Sequence, residues 1–397
     1  MHPYTLIQLG MHSDASDGGV DRYFWGLNQG FCQASTGLDT RRFFFDKGTP
    51  QKDSSHQALG RADLPLGRRL GLLRKSILRS PEYDPSRSVL ASHFALYALP
   101  VLERDSELTH VVHFHGPWAE ESVLRGQRLK ALAKTMVERV VYQTADAFIT
   151  LSNAFRDLLV STYGVEPEKV HVIPGAVDTS KFRPSERVRA RALLEWSQEG
   201  RIIFCLRRLV ERMGLGVLIQ AFSSIAAKYP DAKLFIGGQG PLEGALRAQI
   251  RSLGLEERVR ILGFVSESLL PLHYQAANIS IVPSQSLEGF GLTTVESLAC
   301  GTPVLVTPVG GLTEVIGPLA PSCVLCGPHA DQVAQGLDAY LGGELALPAA
   351  SDCVAYVKKH FIWEKVSRRV LQVYNETFRA KQFKLGRSPS TTIEVAA

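Results

Sequence analysis

Two kinds of apolar pattern alternate along the chain. Short runs rich in Val, Ile, Leu and Phe recur at Tyr4–Leu9, Arg42–Asp46, Thr109–Phe114, Asp146–Leu151 and Lys169–Pro174. Between some of them, apolar residues fall three or four apart, to about Phe31 and over Leu124–Thr144. Near-continuous apolar runs predict strands buried on both faces, and the helical spacing between them predicts crossovers. The rhythm restarts at Arg201–Leu206 and continues through Ala232–Ile236, Arg258–Leu262, Asn278–Val282, Val304–Val306 and Ser322–Leu325, with helices expected at Leu215–Lys228 and Pro241–Ser252. The charged stretch Arg183–Gly200 separates the two series. The pattern therefore predicts two doubly wound, parallel α/β domains divided at 185/186.

The densest chemistry lies in Pro283-Ser-Gln-Ser-Leu-Glu-Gly-Phe-Gly-Leu-Thr-Thr-Val-Glu-Ser-Leu-Ala-Cys-Gly-Thr-Pro303. A strand ends at Pro283, Gly289 and Gly291 make a loop, and a short helix is expected to open at Thr293 or Thr294. Gly301 fits a left-handed C-cap, and Pro303 begins the next strand. Glycines let backbone approach a ligand closely, and the free amides of a first helical turn favour phosphate. The carboxylates Glu288 and Glu296 could accept hydrogen bonds from sugar hydroxyls, as acids do for ribose in dinucleotide folds. Thr293-x-x-Glu296 is equally a capping box, and spacing leaves that reading open.

Other polar groups are expected at strand ends. Gly18-Gly19 is either a tight connection or a ligand-facing loop. His113 and His115 share a face near the carboxyl end of a strand, either as a plain pair or as a weak metal site. Arg207, Arg208 and Arg212 surround the loop after Leu206. Glu138 and Ser152 read as structural, Ser152 as an N-cap. In Leu64–Ser80, Arg68, Arg69, Arg74, Lys75 and Arg79 interleave with Leu66, Leu70, Leu73, Ile77 and Leu78. Such a segment either lies on an anionic membrane or buries its leucines as an ordinary helix.

Composition narrows the class. The 397 residues are 45% apolar and 21% charged, ordinary for a globular protein but long for one domain. No apolar run approaches the roughly 20 residues of a membrane span. The first residues lack the charged and apolar regions of a signal peptide, so a cytoplasmic location is expected. The net charge of +5 is mild, and no nucleic-acid partner is expected. Six scattered cysteines do not form a disulfide framework. Cys323-x2-Cys326 has no second pair nearby to complete a tetrahedral metal site.

The block EGFGLTTVESLACGTPVLVTPVGG, with Glu288 and Glu296 flanking seven residues, resembles the signature of retaining, nucleotide-sugar-dependent glycosyltransferases with the E-x7-E pattern (glycosyltransferase family four, group 1). Gly18-Gly19-x-x-Arg22, His113-x-His115-Gly116-Pro117-Trp118, Gly238-Gln-Gly240-Pro241 and Gly263-Phe264-Val265 resemble further segments of that family. The resemblance covers most of residues 1–378. It implies the GT-B architecture: an N-terminal acceptor-binding Rossmann-like domain over 1–185 and a C-terminal donor-binding one over 186–360, facing a cleft. A helix over 361–380 would cross back to the first domain, and 381–397 would be a loose tail.

The same resemblance implies a hexosyltransferase that moves a hexose from a UDP- or GDP-sugar to an acceptor hydroxyl, with no metal cofactor. Glu288 would hold the donor sugar hydroxyls, Glu296 the ribose, and His115 would lie over the sugar. Gly19 and Gly238 would approach the donor, and Gly263, Phe264 and Val265 would read the nucleobase through backbone. Arg208, Arg212 and the amides of Gly289, Phe290, Gly291, Leu292 and Thr293 would hold the diphosphate. Met213 stands where the family usually has lysine, so Arg212 is inferred to substitute. The expected partners are the nucleotide-sugar donor, a glycan or lipid-linked acceptor in cell-surface polysaccharide assembly, and an anionic membrane surface met by Leu64–Ser80. A nucleotide-sugar epimerase, a glycan phosphorylase and a non-catalytic sugar-nucleotide-binding subunit are the alternatives.

Overall fold

The structure, a computed structural model, describes residues 4–12, 18–34, 37–46, 56–102, 107–123 and 126–387. The expected tail falls mostly on 388–397, outside the described residues. The chain forms two compact units: Met1–Pro174 with Trp363–Ala397, and Gly175–Ile362. The division thus falls after Pro174, where the sequence pattern placed it at 185/186. Residues past Pro174 belong to the second unit for a physical reason. Val177 bridges to Ile362, and Phe182 is buried against Tyr274 at 6.2 Å between ring centroids.

In the first unit β1 (Thr5–His12), β2 (Thr40–Asp46), β3 (His56–Arg61), β4 (Ser88–Ser92), β5 (Thr109–Phe114), β6 (Ala147–Thr150) and β7 (Val170–Val172) form one parallel sheet in the order β3-β2-β1-β4-β5-β6-β7. Every residue of β4 and β5 is buried, as expected of strands covered on both faces. The helix Trp363–Lys384 packs on this unit. Gly26 lies so close to the Trp363 indole that an added Cβ would sit 2.2 Å from it, which fixes a glycine there. Tyr4 donates to Asn375 Oδ1 at 2.8 Å, and Lys381 pairs with Asp146 at 2.9 Å.

The second unit carries β8 (Arg201–Leu206), β9 (Ala232–Gly237), β10 (Val259–Gly263), β11 (Ile279–Val282) and β12 (Val304–Val306) in the parallel order β10-β9-β8-β11-β12. The strand expected at Ser322–Leu325 is instead a 3-10 turn, Pro321–Cys323, followed by a single bridge from Val324 to Val306. The Cys323 and Val324 N–H groups donate locally, to Ala320 O at 3.0 Å and Pro321 O at 3.1 Å, in place of a ladder. In both sheets the strand order reverses once, at β1/β4 and at β8/β11. Open parallel sheets bind ligands outside the carboxyl ends of strands at such a reversal.

Candidate functional site

At the second reversal, two loops lock onto each other. β8 ends at Leu206, and the Arg207 N–H donates to Gly237 O on the neighbouring strand at 3.0 Å. The chain then turns through Gly214, whose φ of +71° suits glycine and whose Cβ, if present, would lie 1.9 Å from Pro283 O. Gln285 N–H donates to Arg212 O at 2.8 Å. Leu287 adopts φ +51°, a left-handed conformation costly for leucine, immediately before Glu288. Gly311 N–H donates to Glu288 O at 2.9 Å, so the strained residue is held on both sides.

The Glu288 carboxylate is the charged centre of this assembly. Its Oε2 accepts from the Arg207 guanidinium and from Ser284 Oγ at 3.0 Å, and Arg207 also donates to Ser284. Arg212 donates to Leu287 O at 3.1 Å, which brings its charge beside the carboxylate. Burial alone would raise the Glu288 pKa. The Arg207 charge and hydrogen bond, then Arg212 and Ser284, outweigh it and hold the group below the usual carboxylate range. Arg207 is buried and Glu288 half-buried, and Arg207 keeps a buried Nε–H without a hydrogen-bond partner among the described residues.

Arg207 pairs with Glu288 at this loop, and the sequence reading does not place it in the site. Arg208, which was placed there, is exposed. Two adjacent arginines at a strand end point to opposite sides, and the sequence does not show where β8 stops.

The helix Leu292–Ala299 starts one or two residues earlier than expected. Gly291 is its N-cap at φ +81°, and no side chain caps it. A Cβ on Gly291 would meet Leu312 Cδ2 at 2.5 Å. The capping-box geometry is absent: the Glu296 carboxylate is buried and accepts from Tyr274 Oη at 3.0 Å. The hydroxyls of Thr293 and Thr294 are buried without hydrogen-bond partners. Gly301 has the left-handed φ of +78° that its place after the helix called for.

Phe290 packs against Phe361 at 5.6 Å, so its side chain belongs to the core and only its backbone is available to a ligand. Beside Arg207, Gly238 donates to Gly263 O at 2.7 Å, and a Cβ on Gly238 would lie 1.9 Å from Arg207 O. Phe264 is 60% exposed, next to half-buried Val265. Glu288, Arg207, Arg212, the Gly291 turn and Gly263–Val265 therefore belong to adjacent carboxyl-end loops of one sheet.

The first unit has a different cluster at its strand ends. His93, His113 and His115 bring ring nitrogens within 4.8 Å of one another. His93 Nδ1 lies 3.2 Å from His115 Nε2, and His113 Nε2 lies 2.6 Å from Tyr374 Oη. The three rings stack at 17–19°, with Tyr23 packed on all of them. The three rings lie nearly parallel, with His93 and His115 at hydrogen-bonding distance. Burial pushes the His115 pKa down to about 4 and those of His93 and His113 well below the ordinary value.

Gly18 is the N-cap of the helix Gly19–Gln33 at φ +145°, with nothing among the described residues within 4 Å of where a Cβ would sit. Asp21 of that helix accepts from His12 N–H at the end of β1, a structural role. Glu138 is structural too: it accepts from Trp118 N–H at 2.8 Å and Tyr163 Oη at 2.8 Å. Cys323 and Cys326 are unpaired, one buried and one exposed.

Comparison with known proteins accords with this architecture. The profile for Glycosyltransferase Family 4 matches residues 43–181, and that for Glycosyl transferases group 1 matches 187–360. Mannosylfructose-phosphate synthase of Agrobacterium fabrum is 34% identical over 188 residues, 45% of this chain and 41% of that protein. D-inositol 3-phosphate glycosyltransferase of Acidothermus cellulolyticus is 27% identical over 284 residues, 69% of this chain and 63% of that protein. The matched part thus spans less than two thirds of either relative. Sucrose-phosphate synthase from Thermosynechococcus elongatus superposes with a TM-score of 0.77 at 22% identity, over 95% of this chain and all of that one. With one profile on each unit and a GT-B fold, the chain belongs to the glycosyltransferases of family 4, group 1.

Proposed function

We propose that the protein is a retaining hexosyltransferase that moves a hexose from a nucleoside-diphosphate sugar to an acceptor hydroxyl. The observation that carries this reading is the half-buried Glu288 carboxylate, ionised by Arg207 and Arg212 and set between a strained turn and an uncapped helix start. Departure of a nucleoside diphosphate builds negative charge on the phosphate while the sugar carbon becomes cationic. Arg212, the spare Nε–H of Arg207 and the first-turn amides from Gly291 onward suit that anion, and Glu288 Oε1 suits the sugar hydroxyls. Glu296 is assigned to the ribose, and His115 is the first-unit residue assigned to the sugar. The scheme calls on no metal.

Solved structures at 18% identity include a protein of Anabaena in complex with UDP-glucose, which favours a UDP-sugar among the donors to test first. For the acceptor, a lipid-linked glycan at an anionic membrane is the first reading. A small phosphorylated acceptor is the second, favoured by relatives named for inositol 3-phosphate. The experiment is a thermal-shift panel of UDP- and GDP-sugars followed by transfer assays with wild type and Glu288→Gln. A donor that stabilises wild type, with transfer reduced by about a hundredfold or more in the variant, is expected. Normal transfer by Glu288→Gln would overturn the assignment of that carboxylate.

A further inference from the structure

The helix Arg128–Gln143 of the first unit turns an apolar stripe outward. Leu129 is 85% exposed, Leu132 62%, Met136 63% and Val140 50%. Their spacing of three, four and four residues sets all four on one face of the helix, opposite buried Ala131, Glu138 and Tyr142. A helix normally buries its apolar face, so this stripe needs a partner. Arg128 and Arg139 flank the stripe on one side and Lys130 on the other. All three are exposed, and none has a hydrogen bond or ion pair among the described residues. The sole acid of the helix, Glu138, points inward to cap Trp118.

Charge decides what covers the face. A second copy packed on the same face would set these cations against their own equivalents, because a two-fold interface repeats one surface. Anionic lipid headgroups complement the cations, and acyl chains receive the stripe. No helix among the described residues is long and apolar enough to cross a membrane, so contact would be at the interface. We infer that the outward face of Arg128–Gln143 is the surface by which this protein lies on an anionic membrane.

The inference relocates the membrane contact that the sequence suggested for Leu64–Ser80. The helix Leu66–Leu78 buries Leu73 and Ile77. Its Arg69 donates to Tyr97 Oη at 2.7 Å, and Arg74 donates to Pro100 O at 2.7 Å. Its most exposed leucines, Leu66 and Leu78, lie at opposite ends.

The inference deepens the membrane part of the proposed function. Vesicle binding, read without donor or acceptor, keeps its failure separate from any failure of the transfer reading. The test is flotation of the full chain with phosphatidylcholine vesicles, with and without phosphatidylglycerol. Three variants accompany wild type: Leu129→Ser/Leu132→Ser/Met136→Ser, Arg128→Ser/Lys130→Ser/Arg139→Ser, and Arg68→Ser/Arg74→Ser. Wild type should float with the anionic vesicles alone. The first two variants should lose about ten-fold or more in partitioning, with melting temperature kept, and the third should bind like wild type. The inference falls if wild type does not float or if the stripe variant floats unchanged. It falls equally if Arg68→Ser/Arg74→Ser abolishes binding, or if sedimentation shows a dimer that the stripe variant dissociates.

Discussion

The two strand-order reversals carry opposite electrostatics. The second unit concentrates charge, with Arg207 and Arg212 gathered around the half-buried Glu288 carboxylate. The first gathers three histidines that burial keeps neutral, packed on Tyr23 and Tyr374. One sheet topology thus serves two chemistries because the loops differ and the strands do not. A fixed ion pair stabilises charge that develops nearby without reorganising, whereas a neutral ring offers shape and a hydrogen bond. The contrast can be broken at either end.

The largest effect is expected at Arg207. Removing one member of a buried ion pair leaves an uncompensated charge, at a cost of about 3–5 kcal/mol. Arg207→Met should lower denaturation stability by that order, while Arg208→Ala, at an exposed position, should stay within about 0.5 kcal/mol. Adding Glu288→Gln to Arg207→Met should restore part of the loss. Additive losses in that double-mutant cycle would mean that the pair is not coupled.

Next comes acid. Burial lowers the pKa of His115 to about 4, of His110 to about 3, and of His93 and His113 well below 6.5. Between those values and about 6.5 the unfolded chain binds protons that the folded chain does not. Stability is therefore fully present above about pH 6.5 and falls as pH drops toward 4. Glu288, held low, loses its contribution only below the ordinary carboxylate range. Hydrogen exchange at pH 7 and pH 5 should show the first unit loosening while the Glu288 loops keep their protection. Equal loosening of both would remove the contrast.

How much of this could be read in advance follows from which features are local. The Gly301 cap and the turn around Gly291 were legible because backbone chemistry over a few residues dictates them. The sheet reversals were partly legible, yet β3 and β4 were missed: His56–Arg61 has few apolar residues, and Ser88–Ser92 is only five residues long. His93 joins the stack from β4's end, so a histidine cluster spanning two strand ends was invisible. The choice between Arg207 and Arg208 hung on the phase of one strand end. The outward stripe of Arg128–Gln143 has ordinary helical periodicity, and periodicity alone does not say which face is buried.

A smaller effect is expected at Arg212. Its guanidinium hydrogen-bonds a backbone carbonyl beside Glu288 and adds charge at the turn. Arg212→Ala should weaken binding of a nucleoside diphosphate about ten-fold, equivalent to about 1.4 kcal/mol, with little change in melting temperature. Calorimetry with UDP and GDP would read it. Unchanged affinity for both would assign compensation for Met213 to Arg207 instead.

The smallest expected effect separates two roles for Glu296. Its carboxylate is buried and takes the Tyr274 hydroxyl at 3.0 Å, away from the helix start that a capping box would have it serve. Tyr274→Phe removes one hydrogen bond to a charged acceptor and keeps the ring, which packs at 5.4 Å against Phe204. The loss should be about 1.5 kcal/mol in stability. If Glu296 is aimed at a ribose, loss of the Tyr274 bond disturbs its orientation, and affinity for a nucleoside should fall several-fold more than affinity for inorganic diphosphate. Equal losses for the two ligands would reduce Glu296 to a buried structural partner of Tyr274. Glu288 would then be the only carboxylate of the signature with work to do in the charged unit.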